Sequence, residues 1–169
     1  MDWKRLFDSH ADDLIGICWR ILGRRADVED CVQEVFVKAF QMERRETIRN
    51  WPGLLRRLAV LTALEALRKR KRRQDALLSE HACDLAARED GADEIAIHRE
   101  LESRLRREVA ALPDQEAAVF CLRYFESATV SETASTLGVS TGAVAAASLR
   151  ARKRLQQRMS DVLPARVKE

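Results

Sequence analysis

The side chains that commonly perform nucleophilic, acid–base or metal chemistry are sparse in this chain of 169 residues. It has four cysteines, at positions 18, 31, 83 and 121, and three histidines, at positions 10, 81 and 98. The cysteines form no CxxC pair, and the histidines have no metal-ligand spacing. Neither a glycine-rich phosphate loop nor a nucleophile paired with a histidine base is evident. The sequence therefore predicts a protein that is not an enzyme and binds no cofactor or metal, with small buried or idle thiols.

The most prominent feature of the sequence is a cluster of basic residues followed by an acidic segment. Lysine and arginine number 30 against 27 acids, for a net charge of +3. Six consecutive bases occupy Arg68–Arg73, and residues 75–94 then carry seven acids and one base, a net charge of −6. The basic run cannot be buried without partners and should attract phosphates. A solvated helix end, paired within the chain with the acidic segment, is the alternative interpretation.

A second charged feature is an acidic helix face near residue 30. In "DVEDCVQEVFVKAFQ", which starts at Asp27, apolar residues recur at steps of three and four and define one helix face. The opposite face carries three acids with a glutamine at its border: Asp27, Asp30, Glu34 and Gln33. Such a face suits docking to a basic partner. Capping of the helix by Asp27, with Asp30 favoured by the helix dipole, also accounts for these acids.

The C-terminal part of the chain contains the pattern of a helix-turn-helix. Ala134, Gly138 and Val144 stand where the motif needs a small residue, a glycine turn and an apolar lock, and Ser140 can cap the second helix. In a helical projection of the second helix, five residues face inward: Val144, Ala147, Ser148, Ala151 and Leu155. Five others face outward: Ala145, Ala146, Leu149, Arg150 and Lys153. The bases that follow suit phosphate contacts, and an ordinary helical hairpin with a solvated basic end is the alternative.

These features must be positioned by helices, because alanine, leucine, arginine and glutamate dominate a chain with only three prolines and six glycines. The pattern predicts an all-α protein of two small helical domains, 1–75 and 95–163, joined by the acidic linker 76–94. A polar loop is predicted at 43–50, and Pro52 suits the first turn of the next helix. No signal peptide or membrane-length apolar stretch is visible, so we expect the protein in the cytoplasm.

In this order, the motifs resemble those of bacterial RNA polymerase sigma factors, in particular the two-domain extracytoplasmic-function (ECF) group of the sigma-70 family. The resemblance covers roughly residues 2–75 and 95–160. It rests on "DVEDCVQEVFVKAF" at 27–40, "NWPGLLRRLAVLTALEALRKRKRR" at 50–73, and "LPDQEAAVFCLRYFE" at 112–126 followed by the helix-turn-helix at 129–155. It implies a region 2-like bundle and a region 4-like domain that bind core polymerase, direct it to specific promoters and help to open the DNA.

The resemblance also implies roles for individual residues. The acidic face at Asp27, Asp30, Gln33 and Glu34 would contact the clamp helices of the polymerase's largest subunit. A base flipped out of the minus-ten element, together with nearby phosphates, would meet Arg44, Arg45, Asn50, Arg56, Arg57, Arg68, Arg70 and Arg72. The minus-thirty-five element would meet Ser140, Thr141, Ala145, Ala146, Leu149, Arg150, Arg152 and Lys153. An anti-sigma factor is a further expected partner, beside core RNA polymerase and promoter DNA.

The sequence departs from the family pattern at positions that bear on these roles. The family often has Asn at the position of Leu61 and Asp at that of Glu65, and its reading helix usually has polar or basic residues at 145–147, where this chain has three alanines. We therefore expect minus-thirty-five contacts through phosphates, thymine methyl groups and DNA shape. Two other functions remain open: a stand-alone helix-turn-helix regulator, and a helical adaptor that binds polymerase without reading promoter DNA.

Overall fold

A computed structural model describes residues 2–80 and 94–160, with the side chains of residues 2–77 and 97–160. All regular structure within these residues is helical, which confirms the all-α prediction. The helices are α1 (Trp3–Leu22), α2 (Arg25–Glu43), α3 (Trp51–Glu80), α4 (Glu94–Ala110), α5 (Asp114–Phe120), α6 (Val130–Leu137) and α7 (Thr141–Arg158). A π-helical turn at Cys121–Phe125 continues α5 toward α6.

Capping side chains and left-handed glycines set several helix ends. Asp2 caps α1 by accepting a hydrogen bond from the Arg5 amide at 3.1 Å, and Gly23 ends the helix at φ 65°. Thr129 and Glu132 form a reciprocal capping box at the start of α6. Gly138, at φ 69°, makes the turn that the sequence predicted between α6 and α7.

The start of α2 and the end of α3 differ from the sequence predictions. Arg24 is the N-cap residue of α2 and makes no side-chain hydrogen bond there, so the capping role considered for Asp27 is wrong. Asp27 lies in the first turn, where the helix dipole still favours its charge. Helix α3 continues to Glu80, past the predicted domain boundary at residue 75, and an i,i+4 ion pair between Lys71 and Asp75 supports this extension. Residues 81–93 of the predicted linker lie outside the described residues, as do residues 161–163.

The hydrophobic core continues from one half of the chain into the other. Helices α1, α2 and α3 pack around residues such as Ile21, Val35 and Leu64, all nearly inaccessible to solvent. The same cluster extends to Val109 and Leu122, because α3 also contacts α4, α5 and α6. A smaller cluster joins α5, α6 and α7 and consists of Val119, Ala134, Val144 and Ala147. The two halves that the sequence separates therefore pack directly against each other.

Two arginines of the first half bind acceptors of the second half. Arg20 donates from Nε and Nη2 to the two carboxylate oxygens of Glu126, at 2.6 Å each. Arg68 donates to the carbonyl oxygens of Ala110 and Leu112, both at 3.2 Å, and its Nη1 lies 2.8 Å from an Asp114 carboxylate oxygen. These hydrogen bonds and ion pairs therefore link the two halves at two places beside the shared apolar core.

The cysteines of the described residues are buried thiols, as predicted. The Sγ atoms of Cys18 and Cys31 are 3.4 Å apart, and the hydrogen bond between them, followed by burial, raises the pKa of Cys31. Burial raises the pKa of Cys121. Both of these side chains therefore stay protonated near neutral pH. Cys83 lies outside the described residues.

Candidate nucleic-acid and protein interface

The three acids of the predicted α2 face, Asp27, Asp30 and Glu34, lie opposite the core, but two of them already have partners in the chain. Asp27 accepts a hydrogen bond from Arg70 Nη1 at 2.8 Å, and that same nitrogen also donates to the Leu22 carbonyl at 3.1 Å. Asp30 and Gln33 are exposed and make no recorded side-chain contact within the described residues. Asp30 is therefore the acid of this face that is most available to an external partner.

Glu34 belongs to a charged group that links α2 to α3. Its carboxylate lies 2.9 Å from Lys38 Nζ, and the same ammonium group donates to Glu65 and to Thr62, each at 3.2 Å. Partial burial lowers the pKa of Lys38, but hydrogen bonds to Glu34 and Glu65 outweigh it, so this pKa lies above its ordinary value. The hydrogen bond from Lys38 lowers the pKa of Glu65. Glu65 thus has a structural partner within the protein.

The predicted 43–50 loop borders an open surface cavity at the junction of α2 and α3. The cavity measures about 420 Å³ and is lined by Glu43, Arg44, Arg45, Glu46, Thr47, Ile48 and Trp51. Trp51 is half-buried, and its ring meets that of Trp3 edge-on with centroids 5.5 Å apart. Trp3 is held in turn by a hydrogen bond from its Nε1 to Glu43 at 3.0 Å. The site therefore combines a supported aromatic wall with two exposed arginines.

Asn50 serves as the cap of α3. Its Oδ1 accepts a hydrogen bond from the Gly53 amide at 3.0 Å. A Cβ on Gly53 would lie 2.7 Å from Asn50 Nδ2, so glycine allows this close approach. The cap fixes the direction in which α3 leaves the loop, and it uses the acceptor atom of the asparagine side chain.

The five arginines of α3 that were predicted to contact minus-ten DNA fall into two groups. Arg68 and Arg70 are half-buried and bind carboxylates and carbonyl oxygens of the chain itself. Arg56, Arg57 and Arg72 are exposed, and no hydrogen bond or ion pair of theirs is recorded among the described residues. Arg57 Nη1 lies 3.9 Å from the position that a Cβ would occupy on Gly138. The start of α3 therefore faces the turn of the helix-turn-helix.

Helix α7 presents the face that the projection predicted. Val144, Ala147, Ala151 and Leu155 are buried, while Ala145 and Ala146 are exposed and Leu149 is 68% exposed. Ser140 caps the helix by accepting a hydrogen bond from the Ala143 amide at 3.1 Å, and Thr141 is exposed beside it. Arg152 and Lys153 are exposed without a recorded partner among the described residues. Ser148 differs slightly from the projection, since its hydroxyl reaches Tyr124 at 3.3 Å.

One residue of this surface was missed by the sequence reasoning. The Glu116 side chain on α5 is only 6% exposed and contacts both Arg150 and Arg154 of α7. From the sequence, Glu116 is one acid in the first turn of a helix, which the dipole explains without a partner. Its partners are 34 and 38 residues away, so only the packing of α5 on α7 reveals the contact.

The described residues contain no group of three or more side chains arranged to hold a metal ion. Among the same residues, no helix has the length and apolar character that crossing a membrane requires. The candidate surfaces among these residues offer charge, exposed apolar side chains and the cavity beside Trp51.

Comparison with protein families gives two matches, one in each half of the chain. Residues 6–73 match the family described as Sigma-70 region 2, and residues 102–155 match that described as Sigma-70, region 4. The first range contains the acidic face, the loop cavity and the bases of α3. The second contains the helix-turn-helix and Glu116.

Two curated relatives match over most of the chain. ECF RNA polymerase sigma factor SigE of Mycolicibacterium smegmatis is 27% identical over 154 residues, which cover 91% of this chain and 60% of that protein. ECF RNA polymerase sigma factor SigW of Bacillus subtilis is 24% identical over 170 residues, which cover 93% of this chain and 88% of that protein. The chain thus spans less than two thirds of the length of SigE.

Two solved structures have a similar fold. The structure of CnrH in complex with the cytosolic domain of CnrY aligns with a TM-score of 0.57 at 20% identity, over 95% of this chain and 89% of that one. The sigma factor RpoE in complex with the anti-sigma factor NepR from Bartonella quintana aligns with a TM-score of 0.50 at 15% identity, over 96% and 99%. At these identities the similarity concerns the fold.

Proposed function

Because this chain belongs to the ECF group of the sigma-70 family, we propose that it binds core RNA polymerase, directs it to specific promoters and helps to open their DNA. The observation that carries the proposal is a region 2 match followed by a region 4 match in one chain. The protein acts by binding and leaves the covalent chemistry to the polymerase. Its place of action is the cytoplasm, where polymerase and promoter meet.

The polymerase contact is assigned to the acidic face of α2. Asp30 and Gln33 are exposed at its centre, with Asp27 and Glu34 on either side. The two flanking acids are held by Arg70 and Lys38, which keeps the face rigid while reducing its net charge. A basic polymerase surface therefore gains most from Asp30, whose charge is not already neutralised within the described residues.

The minus-ten contact is assigned to the loop cavity between α2 and α3. Trp51 offers an aromatic surface for a flipped base, and Arg44 and Arg45 offer charge for the adjoining phosphates. Asn50 sets the geometry of the loop by capping α3. Arg56, Arg57 and Arg72 continue this cationic surface along α3. Stacking of an unpaired base in this cavity stabilises opened DNA without any hydrolysis.

The minus-thirty-five contact is assigned to the exposed face of α7. Ala145, Ala146 and Leu149 allow close approach to the major groove and apolar contact with thymine methyl groups. Ser140 and Thr141 lie at the N-terminal end of the helix, and Arg152 and Lys153 supply charge for phosphates. Affinity at this element then comes from charge, and selectivity from methyl contacts and DNA shape.

The packed arrangement of the two halves cannot contact both promoter elements at once. Elements centred near positions ten and thirty-five lie about 25 base pairs apart, which is about 85 Å at 3.4 Å per base pair. A compact chain of this length has a radius of gyration of about 15 Å. Initiation therefore requires the two halves to separate, and the interactions that Arg20 and Arg68 make across them must break.

A sequestering partner is part of the proposal. Of the proteins with a similar fold, CnrH is bound to the cytosolic domain of CnrY, and the sigma factor RpoE is bound to the anti-sigma factor NepR. An anti-sigma protein that binds both halves of this chain would hold them together and keep the chain from polymerase.

A DNA-retention assay with and without core polymerase tests the proposal. A pool of genomic promoter fragments should be retained in a sequence-dependent manner only when core polymerase and the protein are both present. Retention of the same fragments without polymerase would instead establish a stand-alone helix-turn-helix regulator. Stable polymerase binding that leaves fragment selection unchanged would establish an adaptor.

A further inference from the structure

Glu116 is a buried residue of α5 that contacts α7. The exposed face of α7 that is proposed to bind the minus-thirty-five element, formed by Ala145, Ala146 and Leu149, is called the reading face below. Arg150 Nε donates a hydrogen bond to Glu116 Oε1 at 3.1 Å. Arg154 Nε lies 3.0 Å from Oε2, an ion-pair contact without the geometry of a directed hydrogen bond. The Glu116 side chain is 6% exposed, whereas those of Arg150 and Arg154 are 53% and 47% exposed. One buried carboxylate thus anchors two half-exposed guanidinium groups.

The way the arginines bind Glu116 leaves their outer donors available. Each contact uses Nε, and no hydrogen bond of an Nη atom of either arginine is recorded among the described residues. A guanidinium carries five N–H donors in a planar fork, so about four per side chain remain. Arg150 and Arg154 are also one helical turn apart and continue the row that starts at Ala146. The free donors therefore border the exposed alanines of the reading face.

We propose that Glu116 is a positioning residue for minus-thirty-five binding, which holds Arg150 and Arg154 so that their Nη groups contact DNA phosphates. This inference rests on the proposed function. A reading face of alanine and leucine lacks hydrogen-bonding groups that set its register on the duplex, so phosphate contacts must set it. Flexible arginines would lose side-chain entropy on binding DNA. Contact of their Nε atoms with a buried carboxylate already restricts these side chains in the free protein. Less side-chain entropy is therefore lost when DNA binds.

Replacement of Glu116 by glutamine separates two explanations, because positioning and simple electrostatics predict opposite changes in DNA affinity. Loss of a negative charge near the duplex should tighten DNA binding if charge alone matters. If Glu116 positions the arginines, Glu116→Gln should instead weaken holoenzyme binding by about tenfold, or about 1.4 kcal/mol. The slope of log K against log salt should also become shallower, by about 0.9 for each phosphate that the variant no longer neutralises.

The measurement is the dissociation constant of the holoenzyme over a range of KCl concentrations, on a promoter with an intact or a scrambled minus-thirty-five element. The weakening should appear on the intact promoter and vanish on the scrambled one. Glu108→Gln is the matched control, because Glu108 pairs with Arg158 at 3.6 Å near the other end of α7. It should leave both promoters unaffected. Unchanged or tighter binding by Glu116→Gln would overturn the inference.

A second variant covers the case in which Glu116→Gln fails to fold. The double substitution Arg150→Lys and Arg154→Lys keeps both charges, but a lysine cannot bind Glu116 and offer a separate fork to phosphate. We expect the same selective weakening on the intact promoter, and unchanged affinity would contradict the positioning role. Failure to find any promoter that depends on the protein would refute the proposed function, whereas a working promoter insensitive to these variants refutes only the role of Glu116.

Discussion

The contact between Arg20 and Glu126 gives the sharpest prediction about how the protein opens. We expect Arg20→Glu to shift the free protein from the packed arrangement toward one in which its halves are separated. The native pair is bidentate, with both N–O distances at 2.6 Å. Reversing one charge replaces this attraction with repulsion between two carboxylates at the edge of the shared core.

The size of the effect follows from the exposure of the two partners. A charged hydrogen-bonded pair with a buried partner contributes about 1.5–3 kcal/mol, and an exposed ion pair about 0–1 kcal/mol. The side chain of Glu126 is 9% exposed and that of Arg20 is 46% exposed. We therefore expect about 1.5 kcal/mol, which changes the ratio of packed to separated molecules about tenfold.

Single-molecule energy transfer between dyes at the exposed positions Asp8 and Gln156 measures this ratio directly. Arg20→Glu and Glu126→Arg should each increase the low-transfer population. The combined swap should restore the packed population, because it recreates the ion pair with the charges exchanged. An Arg20→Glu protein with an unchanged population, or a swap that recovers nothing, would refute the role of this contact.

Three further substitutions test the acidic face of α2, the exposed face of α7 and the turn between α6 and α7. Asp30→Lys should abolish core polymerase binding while the helical circular dichroism signal is retained, since Asp30 has no recorded partner within the described residues; unchanged binding would disprove the docking assignment. Ala145→Arg should change promoter preference in a selection from random minus-thirty-five sequences, with little change in melting temperature, and an unaltered preference would show that this face does not read bases. Gly138→Ala should destabilise the fold by about 1–2 kcal/mol, because Gly138 has φ 69°. Gly142→Ala is its control in open helical space and should be neutral or stabilising in thermal denaturation; equal destabilisation by both would rule out backbone strain.

Periodicity and capping rules predicted the helices and the helix-turn-helix because those features depend on neighbours in sequence. The inward and outward sides of α7, the turn at Gly138 and the cap at Ser140 all follow from local pattern. Helix α3 extends past the predicted domain boundary at residue 75, because the residues at 76–80 are mostly good helix formers.

The partners of the charged residues were beyond the reach of sequence patterns. A run of six bases looks uniform in sequence, yet Arg68 and Arg70 bind groups of the chain itself while Arg72 stays exposed. Asp27 and Glu116 resemble helix-start acids and acquire their contacts only through packing. Long-range ion pairs depend on the tertiary arrangement, which no local rule encodes.

Sequencing of transcript starts tests whether initiation at particular promoters depends on this protein. Core RNA polymerase should be incubated with a promoter pool, with and without the protein, and the 5′ ends of the RNA products sequenced. We predict a small set of start sites that appear only when the protein is present and that share sequences upstream at the minus-ten and minus-thirty-five positions. Identical start sites in both reactions would show that the protein does not direct polymerase to promoters.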